Sequence, residues 1–196
     1  MKKIFNLFFA AVVAVMFSAG AAKTTIDLPA QNSVKSGILG RNISLSVSDL
    51  RDDKITIGVL KNSDGDITSR ISTNPQLEAW MKNALTAELA KRDIAVVDET
   101  PDFSVNVNID KFQSEIFGIG TKNMHANSQI TIIANFGDRS VKKTLNEPVI
   151  SFAPLPTLKS LEPFVIETLS ELASRCAAEI ASINYNALLG LREILP

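Results

Sequence analysis

The chain has 196 residues, with 20 Lys+Arg against 21 Asp+Glu and a formal net charge of −1. That balance excludes the clustered basic surface that displaces counterions from nucleic acid. Hydrophobic residues make up 45% of the chain, enough to build one domain core, and the single cysteine, Cys176, excludes an intramolecular disulfide.

Lys2 and Lys3 precede an apolar run from Ile4 to Phe17 that is broken only by Asn6. Ser18-Ala19-Gly20-Ala21 then closes in small residues. A positive start, a short apolar centre and an A-x-A site are the parts of a cleavable secretory signal peptide. The run is shorter than the about 20 apolar residues a bilayer-spanning helix requires. Residues 1–21 therefore read as a signal peptide cut between Ala21 and Ala22. The mature chain is expected in the periplasm, at the surface of the outer or inner membrane and with no transmembrane span. No cysteine stands near the cut to take a lipid anchor.

Residues 22–40 are rich in Thr, Ser, Asn, Gly and Pro and read as a flexible tether, with a short strand around Ile26 and Leu28. Ile43, Leu45 and Val47 alternate with serines, the pattern of a half-buried strand. Asp49 to Lys54 is a charged turn. Ile55, Ile57 and Val59 alternate again, and Lys61 to Arg70 is a polar loop. Asn74-Pro75 suits a helix start, Asn as cap and Pro as first residue. The helix carries the stripe Leu77, Trp80, Met81, Ala84, Leu85 and Leu89, and ends near Arg92. Ile94 to Val97 is a short strand.

Phe103, Val105, Val107 and Ile109 alternate with polar residues. The phase then slips to Phe112 and Ile116, which places a bulge at Asp110-Lys111. Gly118-Ile119-Gly120 marks a hairpin. Met124, Ala126, Ile130, Ile132, Ala134 and Phe136 set the next strand, Gly137-Asp138 turns, and Val141 to Phe152 returns as an edge strand carrying Pro148. A second helix starts at about Thr157 or Ser160 and runs to Ile183. Its stripe is Leu158, Leu161, Val165, Leu169, Leu172, Cys176, Ile180 and Ile183, and Pro163 fits only in its first turn. Residues 185–196 read as a tail. This order predicts an α+β two-layer sandwich over residues 41–184. A mostly antiparallel sheet carries both helices on one face, and Ser44, Ser46, Asn106, Asn108, Gln129 and Thr131 lie on the other.

The strand Ile43–Asp49 running into Asp49-Leu50-Arg51 and then Ile57-Gly58 is followed by a helix, a strand meander and a long C-terminal helix. In that order and spacing the chain resembles the YajG family of bacterial lipoproteins over roughly residues 41–183, with Asp49, Arg51 and Gly58 as the matched positions. The family's leader usually ends in a lipidated cysteine; Ala21 stands at that place here. The resemblance implies an envelope protein and no enzyme.

No residue pattern argues for catalysis, a cofactor or a metal. His125 is the only histidine, so any acyl-transfer or zinc scheme would have to recruit it. It lies in a strand without a nucleophile at a defined spacing and reads as a rim residue. Asp64-Gly65-Asp66 opens like a calcium loop but has Ser69 and Pro75 where the ion needs Gly and Glu. Gly118-Ile119-Gly120 has Asn123 at the third glycine place of a dinucleotide fingerprint. Asp49 and Arg51 read as an ion pair or a set of turn contacts fixing a strand junction, or as a surface-binding pair.

The leading expectation is a non-catalytic periplasmic module that binds another envelope component. A carrier of a small apolar ligand or lipid is the second reading. A hydrolase using unidentified carboxylates is the third. Mass spectrometry of the exported protein should find Ala22 as its N-terminus and no acyl mass; an intact leader or an attached lipid would contradict this.

Overall fold

The structure is a computed structural model that describes residues 21–31, 41–117, 123–152, 154 and 157–183. The signal peptide up to Gly20, the Gly118–Gly120 connection and the tail lie outside the described residues.

The strands are β1 (Ala22–Asp27), β2 (Arg41–Asp49), β3 (Gly58–Lys61), β4 (Ile67–Asn74), β5 (Ile94–Val96), β6 (Phe103–Phe117), β7 (Met124–Phe136) and β8 (Arg139–Ser151). The helices are α1 (Leu77–Ala90) and α2 (Leu158–Ser182). All eight strands join one sheet. The fold is the expected α+β class. Its two longest ladders, β6–β7 and β7–β8, are antiparallel, as is β3–β4. The pairings β1–β4, β2–β5, β2–β6 and β3–β6 are parallel. Alternation in a sequence reports which face a side chain takes, and both ladder types share that period.

The 15-residue strand β6 is the spine. One of its edges pairs with β7 along nearly its whole length. The other is divided: Phe103–Ile109 pairs with β2 and Ser114–Phe117 with β3. The register shift between Ile109 and Lys111 falls at the expected bulge. It allows Val107 and Ile109 before it and Phe112 and Ile116 after it all to be buried.

Both helices pack on one side, α1 over β2 and β5, α2 over β6, β7 and β8, and they touch each other. The α1 stripe Leu77, Trp80, Met81, Ala84, Leu85 and Leu89 is buried, as is the α2 stripe from Leu161 to Ile183. The side chain of Leu158 lies outside the described residues. At the helix–helix contact the Arg92 guanidinium donates to Glu88 and to Ser174 of α2. Burial works against ionisation of Glu88, but hydrogen bonds from Lys91 and Arg92 outweigh it and hold the carboxyl below its ordinary value. Among the described residues no helix is long and apolar enough to cross a membrane.

Four local expectations change. The tether reading gives way to β1 over Ala22–Asp27: Ile26 and Leu28 are buried, six residue pairs join β1 to β4, and Trp80 Nε1 donates to Pro29 O at 2.9 Å. Residues 32–40 lie outside the described residues. The polar loop Lys61–Arg70 contains the first half of β4, whose only strongly apolar inward residue is Ile71; Ser69 fills the other buried place. Asn74 does not cap α1. It ends β4, donates its amide to Asp27 Oδ1, and leaves Gln76 at the helix boundary without a side-chain cap. Pro163 sits in the second turn of α2, since the helix begins at Leu158. The Lys159 carbonyl thus loses its helical donor, and both residues lie on the exposed side.

Cys176 is fully buried within the α2 stripe, and desolvation pushes its thiol up to about 12. Thiol reagents should label it only on unfolding. Cys176→Ala should cost about 1 kcal/mol in urea titrations, the scale for losing one small buried group.

Candidate functional site

The strands β2 and β3 meet the same edge of β6, and residues 50–57 carry the chain from one to the other. This excursion is anchored at both ends. The Leu50 N–H donates to Ile109 O at 3.0 Å, and the Ser114 N–H donates to Ile57 O at 2.8 Å. Between them, β6 residues 110–113 have no strand partner on this side, so their main-chain groups need other partners.

Arg51 supplies one, for the Phe112 carbonyl. Its side chain and that of Asp49 are buried, with each residue less than a tenth exposed. The guanidinium grips the carboxylate at two points, Nε to Asp49 Oδ1 at 2.9 Å and Nη2 to Oδ2 at 2.7 Å. Nη1 donates to Thr56 O at 3.0 Å and to Phe112 O at 3.3 Å, and Nη2 to Lys54 O at 3.0 Å. All five guanidinium N–H donors are thereby engaged. Asp49 Oδ1 also accepts the Arg51 N–H, and the Asp49 N–H donates to Glu78 Oε2 in the first turn of α1. One buried pair therefore ties together β2, the excursion, the β6 bulge and α1.

Gly58 starts β3 against Ser114. A Cβ on Gly58 would stand 2.3 Å from Ser114 Oγ, which itself donates to Ile57 O at 3.0 Å. Glycine is what lets the returning strand close on β6 here.

The excursion is stiffened from within as well. Asp53 Oδ1 accepts the N–H groups of Ile55 and Thr56 at 3.0 and 2.9 Å. The Thr56 N–H, then its hydroxyl, hold the Asp53 carboxyl below its ordinary value. On this frame Ile55 is 75% exposed and Leu50 55%, with Ile67 of β4 at 38%. Ile67 lines an open cleft of about 480 Å³ with Asp52, Asp53, Arg70, Asp110 and Lys111, among others, and Ile55 lines a second of about 320 Å³ with Asp53, Thr56 and Arg70.

The sequence reading singled out Asp49, Arg51 and Gly58, and the fold brings all three to this junction. It did not single out Ile55, read there as an inward strand residue, nor Leu50 or Ile67. Asp53-Lys54-Ile55-Thr56 carried the one available signal, since an Asp two or three residues ahead of an apolar residue and a Thr favours a side-chain-capped turn over a strand.

The other candidates stand apart. His125 is half-buried on the helix-free face of β7, between Glu115 of β6 and Ile150 of β8 in the register. Asp64 and Asp66 form a turn in which both N–H groups donate to Asn62 Oδ1. Among the described residues no three His, Cys, Asp or Glu side chains converge to hold a metal. Arg51, with every donor engaged internally, has none left for a ligand; its chemistry is positional.

A sequence model of a family described as uncharacterised lipoproteins matches residues 24–180. No curated protein sequence matches. Among solved structures, one described only as an uncharacterised protein is 14% identical, covers 82% of this chain and 99% of its own, and has a TM-score of 0.51. A Xanthomonas campestris protein of the DUF330 family is 12% identical over 80% of this chain and 93% of its own, at a TM-score of 0.54. Rare lipoprotein B from Shewanella oneidensis is 13% identical over 66% and 97%, at 0.41. At these identities the first two show a shared fold.

Replacing Arg51 by Ala should cost about 3–5 kcal/mol, because it leaves a buried carboxylate without its partner. Arg51→Lys should recover only part of that, since an ammonium has three donors for five acceptor contacts. Urea titrations of the two variants check the order; a wild-type midpoint for Arg51→Ala would remove the pair from its structural role.

Proposed function

The chain belongs to the family of uncharacterised lipoproteins matched above, and from that premise we propose that it is a non-catalytic envelope protein whose excursion between β2 and β3 docks another envelope protein. The observation that carries this reading is the exposure of Ile55 and Leu50 on a loop that Arg51 holds rigid. Most apolar side chains exposed singly need no explanation. Two on one immobilised loop, next to a cleft, are preorganised for contact: ordering cost is removed before a partner arrives, and apolar anchors dominate binding energy.

Other features support a docking module over a carrier of an apolar ligand. The space between helices and sheet is filled by Trp80, Met81, Leu85, Phe112, Val165 and Leu169, all buried. The clefts beside the excursion lie on the outside of the sheet. Charged residues of both signs rim the main cleft, the usual surround of an apolar contact. Export through residues 1–21 would place this surface in the periplasm. Cys176, the one cysteine of the sequence, is a core residue.

A photo-reactive amino acid at position 55, irradiated in intact cells, should capture one predominant envelope protein. Placed at Lys111 it should capture that protein less well, and at Ser46, on the far part of the open face, not at all. Ile55→Glu should abolish capture by a probe at Leu50 while leaving the thermal midpoint unchanged, since Ile55 buries little. Equal capture from all positions, or none, would remove the docking reading.

A further inference from the structure

Among the described residues the sheet ends at β8, a 13-residue strand paired with β7. Among the described residues no strand covers its outer edge, whose main-chain donors and acceptors can template the addition of another strand. Such edges are usually guarded, and here Lys142, Lys143 and Pro148 stand on it. A guard made of charge is also a selector, because it admits a strand that carries the opposite charge at the matching place.

We propose that β8 pairs antiparallel with β8 of a second copy of this chain, about a twofold axis at Leu145, so that Lys143 of each copy lies opposite Glu147 of the other. The residues of β8 that face the helices are Val141, Lys143, Leu145, Glu147 and Val149. Lys143 Nζ lies 2.6 Å from Glu179 of α2, and the Glu147 carboxylate pairs with Arg175 of α2. Leu145 and Val149 are partly buried against the core. In the register centred on Leu145, directly opposed residues share a face. Val141 meets Val149, Lys143 meets Glu147, and Leu145 meets its own copy, so apolar residues face apolar ones and the charges cross with opposite sign. The charges then run Arg175, Glu147, Lys143 of the second copy, Glu179 of the second copy, alternating throughout. This self-complementarity is what a twofold interface requires. Shifting the register by two residues would oppose Lys143 to Leu145 or Val149 and break it.

A cleft of about 250 Å³ lies where this register places the incoming side chains. It is lined by Glu147, Val149, Glu171, Leu172 and Arg175, with the buried Thr168 and Ser128 at its floor. Lys143 of the second copy falls beside it, opposite the Glu147 carboxylate. Pro148 falls opposite Lys142 on the other face, where one donor fewer is the cost of the guard. The β8 edge is distinct from the docking loop, so pairing of copies and capture by position 55 stand or fall separately.

The test uses the full exported chain with Leu145→Cys, since the axis brings that residue opposite itself and Cys176 is buried and unreactive. Mild oxidation or a short bis-maleimide should give a covalent species of twice the chain mass. Lys111→Cys, exposed on the other face, should not. By sedimentation equilibrium Lys143→Glu and Glu147→Lys should each shift the protein toward single-chain mass, and an equal mixture of the two variants should restore the pair, since each then sets opposite charges against the other at both places. Circular dichroism and thermal melts on each variant separate loss of pairing from loss of fold. A folded Leu145→Cys chain that stays at single-chain mass, cross-linking as strong through Lys111→Cys, or a mixture of the two charge variants no heavier than either alone would overturn the proposal.

Discussion

The buried Asp49–Arg51 pair is the constraint on which the architecture turns. Removing two charges from water is costly, and the cost is offset only when every donor and acceptor finds a partner. Here the partners are dictated: two carboxylate oxygens of Asp49 and the carbonyls of Lys54, Thr56 and Phe112. Meeting those five demands at once determines where β2 leaves the spine, how far the chain travels, and where β3 returns. Two strands can then share one edge of β6 across a gap into which the Arg51 guanidinium reaches to bond the Phe112 carbonyl. No buried side-chain nitrogen or oxygen among the described residues lacks a hydrogen bond.

The consequences run outward from that gap. Because β2 and β3 are collinear neighbours of β6, the sheet widens on one side through β3, β4 and β1 and on the other through β7 and β8. Both helices then cover one face, and the opposite face keeps short polar side chains, with Ser46 donating to Asn106 and Thr131 to Asp110. The interior is spent on packing. The two surfaces proposed for contact are peripheral: the rigid excursion with its exposed Leu50 and Ile55, and the outer edge of β8. Each is an accessible contact surface on a rigid element, and neither needs a reactive group.

The one residue that links family and chemistry, cysteine, plays a packing part in this chain. Cys176 sits with Leu172, Ala173, Ala177 and Ile180 in the α2 stripe, where the same desolvation that raises its thiol makes it a small hydrophobe. The membrane relation implied by a family of lipoproteins therefore does not run through this thiol.

Much of the fold was legible by itself in the sequence. Period-two alternation located β2, β6, β7 and β8, the slip from Ile109 to Phe112 located the bulge, and the three-and-four spacing located both helices with their buried faces. These features depend on local geometry, which every side chain reports about itself. The tertiary structure alone decided the neighbours. Alternation is identical in parallel and antiparallel ladders, so four parallel pairings left no trace in the pattern. Thr, Ser, Arg and Asn in β4, and the tether-like Ala22–Asp27, become strands because each completes the other's hydrogen bonds across 47 positions of chain. In the same way Ile55, which alternates with Ile57 and Val59 as a strand residue would, faces water, because Arg51 and Asp53 claim the backbone on either side of it. Asp49 and Arg51 could be recognised as a pair from their spacing. That the guanidinium also reaches Phe112, 61 residues away, follows only from the gap in the β6 edge.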